Sequence, residues 1–250
     1  MNARNPIIII PARMGASRLP NKPLADIHGT PMIVHVWRRA NEAKAGRVLV
    51  AAAEQVIVDV IAAAGGEAVL TDPGLASGSD RIAQAVQKLD PHREHDCIIN
   101  LQGDLPTLAP QDVQAVLLPL VDPAVDIATL VAQITRSEEI HDPNVVKAVI
   151  SFPAQQGGPM RIGKALYFSR AAIPSGDGPY FHHIGIYAYR RAALEKFVTL
   201  KPSVLEMRER LEQLRAMEAG MNIAAVCVDS VPLGVDTPAD LERARKALVK

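Results

Sequence analysis

The stretch PARMGASRLPNKPL, Pro11 to Leu24, carries Arg13, Arg18 and Lys22 with no acidic residue, and the first carboxylate of the chain is Asp26. Guanidinium and ammonium groups neutralise phosphate oxygens, and Gly15 lets backbone N–H groups come close to them. Pro11, Pro20 and Pro23 pre-set the chain, which lowers the entropy lost when an anion binds. With Ser17 as a further hydrogen-bonding group, the stretch has what a polyphosphate needs. Scattered cations on a solvated loop are the plainer alternative. Neither G-x-x-x-x-G-K-[ST] nor G-x-G-x-x-G is present, so neither a P-loop nor a dinucleotide-binding dehydrogenase fits.

Other loops add to this chemistry. QGDLP, Gln102 to Pro106, follows the apolar run CIINL and supplies Asp104. An Asp beside Gly also reads as an ordinary turn. A carboxylate beside bound phosphates, however, would repel them unless a divalent cation stood between, as Mg²⁺ does. GVDTP supplies Asp236, either a second carboxylate for such an ion or a helix-capping residue. In LASGSDR, Ser77 offers a hydrogen-bonding turn, and Arg81 falls in the first turn of the next helix. A cation there opposes the helix dipole, so another partner is expected: a phosphate, a base or a carboxylate. Together the loops point to a nucleoside triphosphate, Mg²⁺ and a second substrate, with the missing counter-charges of the basic loop arriving with the ligand.

The elements that must hold these loops alternate along the first half. Short apolar runs at Ile7–Ile10, Val48–Ala52, Glu67–Leu70, Cys97–Leu101 and Asp126–Val131 read as strands buried on both faces. Helical patterns lie between them, near Met32–Ala43, Gln55–Ala64, Ser79–Leu89 and Gln111–Leu120. Gly46 and Gly65 stand where left-handed helix caps are expected. The result is an α/β fold with a doubly wound, mostly parallel sheet, whose ligands bind outside the carboxyl ends of the strands.

From Asp142 the pattern changes. NVVKAVIS and ALYFSR read as strands, with the Gly- and Pro-rich FPAQQGGPMRIGK between them as a loop. HHIGIYAYR alternates, placing His183, Gly185, Tyr187 and Tyr189 on one face. By strand rise His183 and Tyr187 lie ~13 Å apart, with Gly185 leaving an open floor between them. One long helix is expected over Ser203–Ala219, then a strand at Ile223–Val228. A final helix follows, with Thr237 as N-cap, Pro238 at the first position and Asp240 three residues after the cap. The chain is read as a single domain over 1–250, with a smaller lobe at 142–190.

Composition limits the alternatives. Apolar residues make up 48% of 250 residues and the formal net charge is +0, which argues for a real core and against a general nucleic-acid or membrane-surface binder. Cys97 and Cys227 sit in apolar runs and read as buried thiols in a reducing compartment. No run of about 18 apolar residues is present to cross a membrane, and the N-terminus lacks the order of a signal peptide, so a cytoplasmic protein is expected.

PARMGASRLPNKPL, SGSDR, NLQGDLP, ALYFSR, HHIGIYAYR, LEQLR and GVDTPADL occur in an order that resembles the bacterial 3-deoxy-manno-octulosonate (Kdo) cytidylyltransferases, the CMP-Kdo synthetases. The resemblance covers essentially the whole chain. It also separates the chain from sialic-acid cytidylyltransferases, whose first loop resembles PARGGSKGI. It implies transfer of CMP from CTP to Kdo with release of pyrophosphate, Mg²⁺ as cofactor, a homodimer and a role in lipopolysaccharide biosynthesis. By the same resemblance Arg13, Lys22 and Asp104 are catalytic, and Arg13, Ser17, Arg18, Lys22, Ser77 and Arg81 bind the nucleotide. Asp104 and Asp236 ligate Mg²⁺, while Gln102, His183, Tyr187, Glu212 and Gln213 line the sugar pocket. An 8-amino analogue of Kdo or a sialic acid as substrate, or a catalytically weak nucleotide-binding paralogue, are the alternatives. Departures from the family pattern are Ala53, where an Asp is frequent, Leu105 for a frequent Glu, and His182 for a basic residue.

Overall fold

Ile7 to Ile10 are fully shielded from solvent and form the middle of β1 (Pro6–Ala12). Each such side chain contributes about 1.5–3 kcal/mol when buried, so this strand anchors whatever packs around it. The computed structural model describes residues 5–15, 18–153, 160–229 and 231–249. Its contacts divide the chain into one unit of Met1–Gln114 with Pro232–Lys250, and a second of Ala115–Val231.

In the first unit β1 is followed by a short hairpin, β2 (Asp26–Ile27) and β3 (Thr30–Pro31), which turns through left-handed His28 and Gly29. Then come α1 (Met32–Glu42), β4 (Arg47–Ala52), α2 (Gln55–Ala63), β5 (Glu67–Leu70), α3 (Gly78–Leu89), β6 (Cys97–Asn100) and α4 (Pro110–Ala115). The strands pair in the order β5-β4-β1-β6, all parallel. The chain steps outward from β1 to β4 to β5, then returns past both to β6. Right-handed crossovers therefore put α1 and α2 on one face and α3 on the other. In agreement, α1 packs on α2, and α3 packs on β1 and β4. This is the doubly wound arrangement expected from the alternating pattern. Its strand order reverses between β1 and β6, where the loops leaving the two strands part and open a crevice.

Local chemistry corrects two expectations here. The left-handed residue after α1 is Lys44 (φ 50°), not Gly46. Gly46 is glycine for another reason: a Cβ there would lie 2.1 Å from the Pro6 carbonyl oxygen. Gly65 does take the left-handed cap, at φ 83°. The helix expected over Gln111–Leu120 stops at Ala115, and a 3-10 turn at Leu118–Val121 follows. Pro119, which has no N–H for a helical bond, sits inside that turn.

The second unit holds β7 (Ile127–Gln133), α5 (Glu138–His141), β8 (Lys147–Ser151), β9 (Ile162–Ser169), β10 (Phe181–Arg190), α6 (Arg191–Thr199), α7 (Val204–Glu209), α8 (Gln213–Glu218) and β11 (Ile223–Val228). Its strands run β10-β7-β11-β9-β8, and β8 meets β10 again at Lys147 and His182, closing the circuit of pairings. Lys147 is fully buried at this closure and donates to the carbonyls of Asp142 and Val145 at 2.8 and 2.6 Å. β9 begins at Ile162, inside the stretch read as loop, while residues 154–159 of that stretch lie outside the described ones.

The long helix expected over Ser203–Ala219 is broken. Arg210 turns left-handed (φ 56°) and ends α7, which lets the chain bury Leu211 and Leu214 before and within α8. Arg215 of α8 reaches back to the Glu206 carboxylate with its Nε at 2.7 Å, pinning the two short helices. β10 is also irregular. Ile184 pairs with Leu130 and Tyr187 with Thr129, so Gly185 and Ile186 have no partner on β7. This bulge overturns strict alternation: the His183 and Tyr187 rings lie 5.4 Å apart between centroids, with no open floor between them.

The chain returns to the first unit with α9 (Pro238–Ala247), where Thr237 and Asp240 form a capping box and Pro238 opens the helix, as the sequence indicates. Val235, Leu241 and Ala244 of this segment join Ile27 and Met32 in one apolar cluster, with Leu19 and Ala25 packed against it. Replacing Gly46 by Ala should cost about 1–3 kcal/mol, because the new methyl meets β1 backbone rather than a movable side chain. A shift of the urea midpoint to lower concentration checks this, and an unchanged midpoint contradicts it.

Candidate active site

The crevice beyond β1 and β6 is a cleft of about 380 Å³ lined by Arg13, Gly15, Arg18, Lys22, Ser77, Arg81, Gln102, Asp104 and Asp236, among others. Each side chain is delivered by a local device. Lys22 opens a 3-10 turn, Lys22–Leu24, set by left-handed Asn21 and buried Pro23. Asp104 follows Gly103, where a Cβ would lie 2.9 Å from the Pro11 carbonyl oxygen, so only glycine lets this loop close on the end of β1. Asp236 follows fully buried Val235, whose N–H donates to the Asp104 carbonyl at 3.0 Å. Because Thr237 takes the capping role, the Asp236 carboxylate is left for the cleft.

Lys22 Nζ donates to Asp104 Oδ2 at 2.7 Å and to Asp236 Oδ1 at 2.9 Å. Arg18 Nη2 lies 2.9 Å from the other oxygen of Asp236. Burial works against the Lys22 ammonium, but the charges and hydrogen bonds of Asp104 and Asp236 outweigh it and hold its pKa above the ordinary value. Two of the three cations in the loop that reads as uncompensated in sequence, Lys22 and Arg18, are therefore compensated in the fold, before any ligand arrives. Arg13 has no acidic partner among the described residues. Ser17 lies outside the described residues. Ser77 caps α3 with Asp80. Gln102 donates weakly, at 3.4 Å, to Asn100.

Arg81 finds its partner inside the protein. Its Nη1 donates to Thr71 Oγ1 at 2.5 Å and to the Asp72 carbonyl at 3.1 Å, and the residue is almost fully buried. Thr71 Oγ1 in turn donates to the Ala52 carbonyl at 2.8 Å. Burial, and to a lesser degree the charge of Arg13, lower the Arg81 pKa against the favourable charges of Glu54 and Asp72, and the two arginines put like charge at one end of the cleft.

Asp104 and Asp236 already converge on one cation. Two carboxylates so placed are a donor set that a hard divalent ion accepts, with phosphate oxygens and water completing its shell. No group of three or more His, Cys, Asp or Glu able to hold a metal occurs among the described residues.

The remaining sugar-pocket candidates belong to the second unit. His183 is buried, with its ring against Phe168 at 4.9 Å and Tyr187 at 5.4 Å. Burial, helped by His182, lowers its pKa to about 3, so the ring is neutral. Desolvation, then the charges of Tyr189 and Glu212, push the Tyr187 phenol well above its ordinary value, which places Glu212 near that ring. Gln213 is almost fully buried, and its Nε2 has no hydrogen-bond partner among the described residues. An unpaired buried donor of this kind is costly unless a ligand meets it.

The cytidylyltransferase family model matches residues 7–223. A 3-deoxy-manno-octulosonate cytidylyltransferase of Paramagnetospirillum magneticum is 61% identical over 243 residues, covering 97% of each chain. One from Rhodospirillum centenum is 62% identical over 245 residues, covering 98% of this chain and 94% of that one. This chain belongs to the 3-deoxy-manno-octulosonate cytidylyltransferase family. The solved structure of a CMP:2-keto-3-deoxy-manno-octonic acid synthetase complexed with CTP superposes with a TM-score of 0.88 at 42% identity, covering 97% of both chains.

Two of the three departures noted in the sequence, Ala53 and Leu105, have a structural setting. Ala53 is buried, and its N–H donates to the Ala12 carbonyl at 2.9 Å. The next residue, Glu54, carries the carboxylate: its Oε2 accepts the Met14 N–H at 3.0 Å, bracing the basic loop. Leu105 is buried, facing the Gly234 backbone, where a Glu would need a partner for its charge. Glu54 and Thr71 escape sequence reading, since neither lies in a basic or glycine-rich stretch.

A cleft of this charge should take inorganic tripolyphosphate. Arg13→Ala should weaken that binding roughly tenfold by calorimetry, the loss of one charge-assisted contact, without moving the melting temperature. Equal affinity for the wild type and the variant would contradict the role given to Arg13.

Proposed function

We propose that this protein transfers CMP from CTP to Kdo, releasing pyrophosphate, with Mg²⁺ held by Asp104 and Asp236. The observation that carries this reading is the convergence of Lys22, Arg18, Asp104 and Asp236 at the sheet's switch point. Its support is end-to-end similarity to proteins named for that reaction.

In the reaction, the anomeric hydroxyl of Kdo gives its proton to solvent and its oxygen bonds to the α-phosphorus, as the bond from that phosphorus to the bridging oxygen breaks and its electron pair leaves with pyrophosphate. Negative charge grows on the departing pyrophosphate, and Arg13, Arg18 and Lys22 are the groups placed to neutralise it. The ion, when bound, would screen the phosphate oxygens from the two carboxylates. Arg81, fixed by Thr71, would keep its positive end of the cleft at a constant position, an effect of preorganisation and not of covalent chemistry. Glu54 would hold the Met14 backbone so that Arg13 need not order itself on binding.

On the sugar side, within the second unit, Gln213 Nε2 would donate to the substrate, and neutral His183 and Tyr187 would offer polar atoms on an aromatic floor. The same reading makes the protein a cytoplasmic homodimer that activates Kdo for lipopolysaccharide assembly.

Pyrophosphate release from CTP should require both Kdo and Mg²⁺, and Asp104→Ala should abolish it in a protein that still folds, with a stability loss of about 1–2 kcal/mol from the broken Lys22 contact. Properly folded wild type that turns over no Kdo would sink the proposal, and an active Asp104→Ala would remove the metal assignment.

A further inference from the structure

Thr129 sits in β7 opposite the bulge of β10, and its side chain is fully buried. Its Oγ1 lies 2.8 Å from the Ile186 carbonyl, 3.2 Å from the Ile184 carbonyl and 3.1 Å from His183 Nε2. A hydroxyl has one proton and a carbonyl only accepts, so that proton goes to the bulge, most closely to Ile186. The remaining lone pairs of Oγ1 face the histidine. His183 Nε2 must then carry a hydrogen to make the contact.

We infer that Thr129 is a positioning residue of the sugar site, holding His183 as the Nε2–H tautomer so that Nδ1 is an acceptor for a substrate hydroxyl. The inference rests on the sugar-pocket reading of His183 given above. Several observations agree with it. His183 is neutral, as its burial requires, so protonation of Nε2 leaves Nδ1 bare. Nδ1 has no hydrogen-bond partner among the described residues. Phe168 and Tyr187 hold the ring plane from its flanks. Gly185 and Ile186 lack partners on β7, so the Thr129 hydroxyl also shapes the bulge that brings His183 and Tyr187 together. One buried hydroxyl thus sets both the position of the ring and its polarity.

The assignment has a consequence for recognition. A neutral ring with a bare Nδ1 accepts from a sugar hydroxyl and repels a carboxylate, so His183 reads a hydroxyl of an acid sugar and not its acid group. Val at 129 would keep the β-branched shape of the strand but lose the hydroxyl, whereas Ser keeps it.

Long-range ¹H–¹⁵N NMR on the full-length protein with labelled histidine reads the tautomer directly. The wild type should show neutral His183 with the proton on Nε2 near neutral pH. Thr129→Val should move it toward Nδ1–H, and Thr129→Ser should restore Nε2–H. In steady-state assays Thr129→Val should raise the KM for Kdo roughly tenfold with the KM for CTP unchanged, and Thr129→Ser should rescue it. Nδ1–H in the wild type, a result that needs no variant to fold, would overturn the inference. So would a Thr129→Val protein that keeps Nε2–H and the wild-type KM for Kdo. A tautomer switch in a protein whose His183 signals ignore added Kdo would overturn the sugar-pocket reading while leaving the Thr129–His183 contact standing.

Discussion

The ammonium group of Lys22, shared between Asp104 and Asp236, ties together segments from the beginning, middle and end of the chain. It is partly buried, so its attraction to the carboxylates is screened less than that of a surface pair. Without it, Asp104 and Asp236 would face each other at close range with like charge. The fold thus stores two carboxylates next to one another by giving them a cation of its own. A site that handles a triphosphate and a divalent ion needs that proximity, and the protein must survive it when neither is bound.

The rest of the first unit can be read as the means of making this contact. β1, with Ile7 to Ile10 fully buried, ends where the strand order reverses, which sends the basic loop into the crevice. Gly103 lets the loop after β6 lie against that end. Val235 and α9 pack on the hairpin beside the basic loop, and the backbone bond from Val235 to Asp104 sets the two acidic loops side by side. In the second unit, short helices pinned by Glu206 and Arg215 present Glu212 and Gln213, and a bulged strand presents His183 and Tyr187.

Much of this was legible in the sequence, and for local reasons. Apolar runs of strand length marked β1, β4, β5, β6 and β11, and the capping signature at Thr237, Pro238 and Asp240 marked α9, because these signals lie within a few residues of one another. The basic loop and Asp104 could be placed at one sheet edge because each follows the carboxyl end of a strand in an α/β sheet. What escaped depends on contacts distant in sequence. Nothing near Lys22 says that it is already paired, since its partners lie at 104 and 236. Arg210 has no propensity for a left-handed turn, and it breaks the helix because burial of Leu211 and Leu214 overrides the helical pattern. The bulge at Gly185 and Ile186 is hidden by a clean alternation, and Thr129 looks like any β-branched core residue. Glu54 carries no local signal either, because its partner is the Met14 N–H in a loop distant in sequence.

A double-mutant cycle on Lys22 and Asp104, read by urea unfolding without nucleotide or metal, tests the central contact most directly. Lys22→Met and Asp104→Asn should be coupled by about 1–2 kcal/mol, with the double variant more stable than the sum of the single losses predicts. Strict additivity of the two substitutions would contradict the account, for it would mean that the shared ammonium does not hold the site together.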